Sequence, residues 1–113
     1  MNQCPHYAIR ELMSESSPIG EKIKAAGWVK TRRDSKAGFS FINLHDGSAF
    51  QGLQIVAPNT LPNYAEEILH LTAGCSIEVQ GTLVESPAKG QKAELQAESL
   101  KVLGWVEDRK SVV

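Results

Sequence analysis

The sequence has little of what would place a protein in a membrane or outside the cell. Its longest apolar runs fall well short of the roughly 18 residues that a membrane-spanning helix needs. The N-terminus has neither a basic start nor an apolar core, so we expect no secretory signal. The only two cysteines, Cys4 and Cys75, lie far apart, which indicates free thiols in a reducing compartment such as the cytoplasm. A single disulfide between them is the alternative.

Motifs for independent catalysis are also missing. The histidines and cysteines are scattered and do not have the spacing of metal ligands. Neither a nucleophile motif nor a glycine-rich phosphate loop occurs in the sequence. We therefore expect no metal, no cofactor and no enzymatic activity from these 113 residues alone.

An overall excess of positive charge is absent, since the formal net charge is −1. Proteins that bind nucleic acids without regard to sequence are usually basic. A role with nucleic acid must therefore depend on a local basic patch. Such a patch lies between residues 22 and 36, where acidic neighbours are limited to Glu21 and Asp34. Its members are Lys22, Lys24, Lys30, Arg32, Arg33 and Lys36.

What the sequence does contain is a succession of strand patterns. Alternating apolar and polar residues predict strands at about 22–33, 39–45, 49–57, 75–85 and 92–104. Helical spacing of apolar residues predicts one helix over 61–71, between the third and fourth strands. In the last strand, a phase shift between Leu95 and Leu100 indicates a β-bulge. Five strands with one helix after the third are typical of the OB fold, an all-β Greek-key barrel.

The predicted barrel occupies residues 21–106, and shorter segments flank it. Residues 1–20 form an N-terminal extension, with a short helix predicted over AIRELMS, and residues 107–113 form a tail. Trp28 and Trp105 are expected to pack against other residues of the domain. At this length the chain forms one domain with a single core.

The second and third strands predict a binding face. Phe41 alternates with Ile42, and Gln54 alternates with Ile55. If the aliphatic residues face the core, Phe41 and Gln54 lie on the outer face of neighbouring strands. An exposed aromatic ring, a planar amide and nearby arginines suit a sheet that stacks a base, contacts its edge and holds its phosphate. The alternatives are a buried Phe41, a solvent-facing Gln54, and arginines that form surface ion pairs with Asp34 or Asp46.

Several separated blocks of the sequence, in order, carry a family resemblance. They are GWVKTRRDSKAG at 27–38, FSFINLHDGS at 39–48, QGLQIV at 51–56, TLPNY at 60–64, LTAGCSIEVQG at 71–81, SPAKGQKAELQA at 86–97 and GWVED at 104–108. These blocks resemble the N-terminal anticodon-binding domain of asparaginyl-tRNA synthetase and, more distantly, that of the aspartyl and lysyl enzymes. The resemblance implies an OB barrel that binds the tRNA anticodon loop or other single-stranded RNA, without a catalytic domain.

The resemblance also implies the residues of a binding site. Phe41 is expected to stack on the central anticodon uridine, and Gln54 to hydrogen-bond the edge of that uridine. Arg33 is expected near the base or the adjoining phosphate. Glu94 resembles the acidic position that contacts the first anticodon base in the aspartyl enzymes. Charge and position alone suggest three phosphate contacts, Lys30, Arg32 and Lys89.

Three interpretations of the biological role stay open. The chain is a free-standing RNA-binding module, the N-terminal domain of a longer asparagine–tRNA ligase, or a module that binds a protein partner or itself. After GWVED the sequence reads RKSVV, which departs from the hinge of the synthetases and favours a free-standing protein. A general binder of single-stranded DNA fits the near-neutral charge poorly.

Overall fold

Five strands of the computed structural model close into a barrel in the order β1–β2–β3–β5–β4. The structure describes residues 7–12, 19–48, 52–85 and 93–106. The strands are β1 Lys22–Ser35, β2 Phe39–His45, β3 Leu53–Pro58, β4 Ser76–Glu85 and β5 Ala93–Gly104, preceded by the helix α1, Ile9–Leu12. β3 and β5 pair in parallel, and the other neighbouring strands pair antiparallel. The predicted OB barrel is confirmed.

Apolar side chains at every second strand position fill the barrel. In β2, Ile42 and Leu44 are fully buried, and in β3 Leu53 and Ile55 are fully buried as well. Successive side chains of a strand point to opposite faces. The pattern that closes the core therefore also fixes which residues of β2 and β3 lie on the outer surface.

A β-bulge in β5 explains why its apolar residues change phase. Gly81 of β4 pairs with Ala97, while the preceding Gln80 pairs with Ser99, so Glu98 is left as an extra residue. The extra residue returns the following side chains to the core, and both Leu95 and Leu100 are buried. The bulge predicted from the sequence is confirmed.

The segment 61–71 forms a series of turns that ends in a 3₁₀ helix, Ile68–His70, instead of the expected longer helix. The Asn63 side chain donates to the Leu100 carbonyl, which ties the turn to β5. The Ile68 N–H reaches back five residues to the Asn63 carbonyl, wider than an α-helical bond. Three apolar side chains still enter the core from these turns: Leu61, Ile68 and Leu71. Apolar spacing alone did not distinguish the turns from a helix.

The short helix α1 packs onto the barrel. Its Ile9 and Leu12 side chains are buried in the core. The Ile9 N–H donates to Asp46 Oδ2 at 2.9 Å, and the Arg10 N–H donates to Ser48 Oγ at 3.0 Å. Two side chains that follow β2 therefore hold the start of the helix. The short helix predicted over AIRELMS is confirmed.

The two tryptophans lie on the surface. Trp28 is 45% exposed and Trp105 is 47% exposed, so neither side chain enters the core, although Trp28 packs against His45 as expected. Trp28 has its ring centroid 6.5 Å from that of His45 on the neighbouring strand. β1 keeps its buried contacts through Val29 and Ala25, while Trp28 alternates to the outer face.

Candidate nucleic-acid interface

The outer faces of β2, β3 and β5 form an open cavity of about 440 Å³. Its lining consists of Phe39, Phe41, Gln54, Val56, Pro58, Glu94 and Gln96. Strand register explains this set. One row of paired residues runs from Phe41 through Val56 to Gln96, and the next row includes Gln54 and Glu94. The cavity is therefore built on regular pairing across three strands.

The end of the cavity on β2 is aromatic and has a cation beside it. The Phe39 and Phe41 rings meet edge to face, with centroids 5.0 Å apart and planes at 88°. Arg33 of β1 is paired with Phe41, and its Cζ lies 5.3 Å from the Phe41 ring centroid. This distance is typical of a cation–π contact. The arrangement places a permanent positive charge next to a ring that is suitable for stacking.

The end of the cavity on β5 is polar and centres on a carboxylate. Glu94 is 8% exposed, and each of its oxygens has a partner. Gln54 Nε2 donates to Oε1 at 3.1 Å, and Gln96 Nε2 donates to Oε2 at 3.3 Å. A buried carboxylate requires such donors, because removing its water shell is otherwise costly. Two residues predicted for base contact, Gln54 and Glu94, are therefore hydrogen-bonded to each other.

Arg32 is directed away from the cavity. Its Nε donates to the Leu71 carbonyl at 3.0 Å, and its NH1 donates to both oxygens of Asp34, at 2.6 and 2.7 Å. Arg32 and, after it, the Ser40 hydroxyl lower the pKa of Asp34 below its ordinary value. The ion pair that the sequence offered as an alternative is present for Arg32. The structure does not bring Arg32 to the other predicted site residues.

Of the two lysines named as phosphate contacts, Lys30 is not among the residues that line the cavity. Lys30 is exposed at the irregularity in β1 between Val29 and Thr31. It lies near His45, whose pKa is lowered first by burial and then by the charge of Lys30. Lys89 lies outside the described residues. Four predicted residues are thus brought together: Arg33, Phe41, Gln54 and Glu94.

Sequence analysis did not select Gln96, although a signal for it was present. Glu94 and Gln96 alternate with Leu95 and Ala97, which are both buried. Residues two apart on a strand share a face. Because Glu94 was expected to contact a base, the same rule places Gln96 on the binding face beside it.

Neither a metal centre nor a membrane segment occurs in the part of the chain that the structure describes. Within residues 7–12, 19–48, 52–85 and 93–106, the acidic, histidine and cysteine side chains form no group of three that could hold a metal ion. Over the same ranges, no helix has the length and apolarity to span a membrane. Cys75 is a buried free thiol, as expected, and Cys4 falls outside the described residues.

Residues 23–103 match the family model described as "OB-fold nucleic acid binding domain", of the tRNA anticodon type. The chain belongs to this family. The OB-fold domain is 54% identical over 101 residues to an asparagine–tRNA ligase of Myxococcus xanthus, a match that covers 89% of the chain and 22% of the ligase. It is 55% identical over 100 residues to that of Glaesserella parasuis, covering 88% of the chain and 21% of the ligase.

These 113 residues therefore span about a fifth of the length of the ligases that they match. The matching part is the anticodon-binding domain, and the resemblance drawn from the sequence is confirmed. The catalytic domain of the ligases is not part of the matched stretch.

Solved structures share the fold of this OB-fold domain. Asparaginyl-tRNA synthetase from Entamoeba histolytica, in complex with asparaginyl-adenylate, has a TM-score of 0.73 at 21% identity and covers 95% of this chain and 25% of that one. OBody AM3L09, bound to hen egg-white lysozyme, has a TM-score of 0.74 at 12% identity and covers 93% of this chain and 100% of that one. At such identities the likeness shows the fold alone.

Proposed function

We propose that this domain binds the anticodon loop of a tRNA, and that the cavity on β2, β3 and β5 takes one unstacked base. The observation that carries the proposal is the cavity itself, which has an aromatic end at Phe41 and a hydrogen-bonding end at Gln54 and Glu94. Bases of single-stranded RNA are bound by stacking and by contacts to their edges. Membership in the anticodon-binding family supports tRNA as the class of ligand.

Each residue has a separate task in this proposal. Phe41 stacks on the base, a contact that contributes about 1–3 kcal/mol when measured by alanine substitution. The Gln54 amide contacts the edge of the base, and Arg33 holds the adjoining phosphate. Because the net charge is −1, few phosphate contacts are expected, and affinity for an isolated loop is modest. A cytoplasmic location fits this function and the predicted free thiols.

The test is a fluorescence-anisotropy titration of the full chain at fixed low salt. The ligands are an anticodon stem-loop with a GUU loop and the same stem-loop with its central U changed to C. We expect tighter binding of the U loop and loss of that preference in Phe41→Ala. Equal binding of both loops, or binding that Phe41→Ala leaves unchanged, would refute the proposal. Circular dichroism of the variant shows whether the barrel remains folded.

A second function, contact with a protein, is favoured by apolar residues on the surface at one end of the barrel. Trp28 pairs with Ser76, and Ser76 pairs with Gly104, so Trp28 lies close to the end of β5. The exposed apolar residues at this end are Trp28, Leu103, Trp105 and Val106. Sedimentation velocity tests self-association as the simplest case. We expect association that Trp28→Ser weakens, and a monomer at all concentrations would exclude it.

A further inference from the structure

We propose that Gln96 is a specificity-determining residue, and that Gln54 and Gln96 together form a clamp on Glu94 that selects bases with an imino N–H. Uracil and guanine have such a group, whereas cytosine and adenine have an imine nitrogen at the equivalent position. The inference rests on the proposed function of the cavity, because it concerns which base that cavity accepts.

Strand pairing fixes the positions of the three side chains. In the parallel β3–β5 pair, Gln54 is opposite Glu94, and Gln96 follows two residues later on the same face as Glu94. Gln54 donates to one carboxylate oxygen at 3.1 Å, and Gln96 donates to the other at 3.3 Å. The carboxylate of Glu94 is thus held between two amides that both line the cavity.

The hydrogen bonds determine which way each amide faces. An ionised carboxylate accepts hydrogen bonds and has none to donate. Gln54 and Gln96 must therefore turn their NH₂ groups toward Glu94, and each amide oxygen is directed elsewhere. Rotating either amide by half a turn would set its oxygen against the carboxylate and leave a nearly buried acceptor without a partner. Such an unmade bond is more costly in a buried group than in water.

The amide orientation gives the cavity a preference among bases. A base edge that meets the Gln54 oxygen must present a hydrogen there. Where the ring nitrogen of the base meets that oxygen, uracil N3–H and guanine N1–H supply the hydrogen, while cytosine N3 and adenine N1 present a lone pair. Sites built for a particular hydrogen bond reject analogues that leave their polar groups unpaired.

Gln96 has its own part in this preference because it occupies the second oxygen of Glu94. Without Gln96, Oε2 has one more acceptor position open, and the exocyclic amino group of cytosine or adenine can donate to it. That new bond would offset the repulsion at the imine nitrogen. Losing Gln96 should therefore relax specificity, mainly by improving the binding of the wrong base, while Phe41 continues to stack.

The experiment measures dissociation constants of the full chain for four stem-loops that differ in the central base. The variants are Gln96→Ala and Glu94→Gln, and the matched control is Gln80→Ala, on the outer face of β4 and outside the cavity lining. We expect Gln96→Ala to reduce the ratio of cytosine to uracil dissociation constants by about two- to tenfold. Glu94→Gln should reduce it further, because a glutamine also donates and lets the Gln54 amide rotate. Gln80→Ala should leave the ratio unchanged.

A second measurement in the absence of RNA tests the clamp directly. Side-chain amide resonances of Gln54 and Gln96 should both move in ¹H–¹⁵N spectra of Glu94→Gln, while that of Gln80 should stay in place. If Gln96→Ala keeps the full preference for uracil, or if the Gln96 amide resonance does not move in Glu94→Gln, the inference is wrong. If the unaltered chain binds no stem-loop, the proposed function fails instead, and the spectra still show whether the clamp exists.

Discussion

Arg33 and Phe41 face each other across the β1–β2 pair, with the guanidinium carbon 5.3 Å from the centroid of the ring. The residue before Arg33 is directed to the other side of the strand, where its guanidinium binds the Leu71 carbonyl and Asp34. Two consecutive arginines therefore have different surroundings, because successive side chains of a strand alternate between its faces.

Glutamine substitutions should separate the tasks of these arginines. Arg33→Gln should weaken binding of the anticodon stem-loop and reduce the slope of log affinity against log salt by roughly 0.7, one phosphate contact to a single strand. Its free energy of unfolding should change by less than about 0.5 kcal/mol, since the side chain is exposed. Anisotropy titrations over a range of salt concentrations and urea unfolding measure both quantities.

Arg32→Gln, the matched control, should lower the stability of the domain and leave its salt dependence of RNA binding unchanged. It removes the hydrogen bond to the Leu71 carbonyl and the paired bonds to Asp34, so we expect it to lower the free energy of unfolding by about 1–2 kcal/mol. Its salt slope should match that of the unaltered chain. If Arg32→Gln lost more affinity for RNA than Arg33→Gln, the assignment of the phosphate contact to Arg33 would be wrong.

The stability of the domain should depend on pH through Asp46, which holds the start of α1. Burial raises the pKa of Asp46. Hydrogen bonds from the Ser48 hydroxyl and from the N–H groups of Ile9 and Ser48 lower that pKa by more than burial raises it, so the net pKa is below the ordinary value. The folded state therefore favours the ionised form. Its contribution is fully present above the unfolded pKa of about 3.9 and is lost as the pH falls through the folded pKa.

Asp46→Asn tests this dependence. Near neutral pH the variant should be less stable than the unaltered chain by about 1–2 kcal/mol, because hydrogen bonds to a charged acceptor are lost. The difference should shrink as the pH is lowered from about 5 toward 3. Urea unfolding at each pH measures it, and Glu66→Gln, the same charge change on an exposed residue, is the control. A difference that stays constant with pH would contradict the expected titration.

The sequence predicted the parts of this domain that depend on residues close together in the chain. Alternation within a strand was sufficient to place Ile42 in the core and Phe41 on the outer face. The contact between Gln54 and Glu94 spans 40 positions and depends on the parallel pairing of β3 with β5. A strand pattern does not specify the partner of that strand, so the bond could not be derived from either pattern.

The segment 61–71 shows a further limit of the same kind. Its apolar spacing correctly indicated side chains that enter the core, including Ile68 and Leu71. The backbone takes a wider path than an α-helix, and it is tied by the Asn63 side chain to the Leu100 carbonyl of a distant strand. Tertiary contacts of this kind override local periodicity.

A side chain at Gly81 should destabilise the barrel directly beneath the polar end of the cavity. A Cβ atom at this position would collide with the carbonyl oxygen of Gln96 on β5. Both groups belong to paired backbone, so neither moves without disturbing the β4–β5 ladder. We expect Gly81→Ala to lower the free energy of unfolding by about 1–3 kcal/mol. Gly104→Ala is the control, since its Cβ would lie 3.3 Å from the Ser76 hydroxyl, and a comparable loss there would contradict the explanation.

Two neighbouring residues of β3 should affect different properties when they are truncated. Ile55 should affect stability alone, and Gln54 should also affect the choice of base. Ile55 is fully buried in the barrel, and Ile55→Ala should lower the free energy of unfolding by about 2–5 kcal/mol because it leaves a cavity. Gln54 lines the outer cavity and donates to Glu94, so Gln54→Ala should cost about 1–3 kcal/mol in stability, because one oxygen of a nearly buried carboxylate loses its partner. It should also reduce the preference for uracil over cytosine in the stem-loop.

Urea unfolding measures the stability of the Ile55→Ala and Gln54→Ala variants, and anisotropy titration of the same preparations measures their base preference. Ile55→Val, which should lose only about 0.5–1.5 kcal/mol, ensures that a folded core variant is available for the RNA titration. We expect Ile55→Val to keep the uracil preference of the unaltered chain, because Ile55 lies on the opposite face of β3 from the cavity. If Gln54→Ala retained that preference while Ile55→Val lost it, the RNA would not be using the outer face of β3, and the assignment of the binding surface would be wrong.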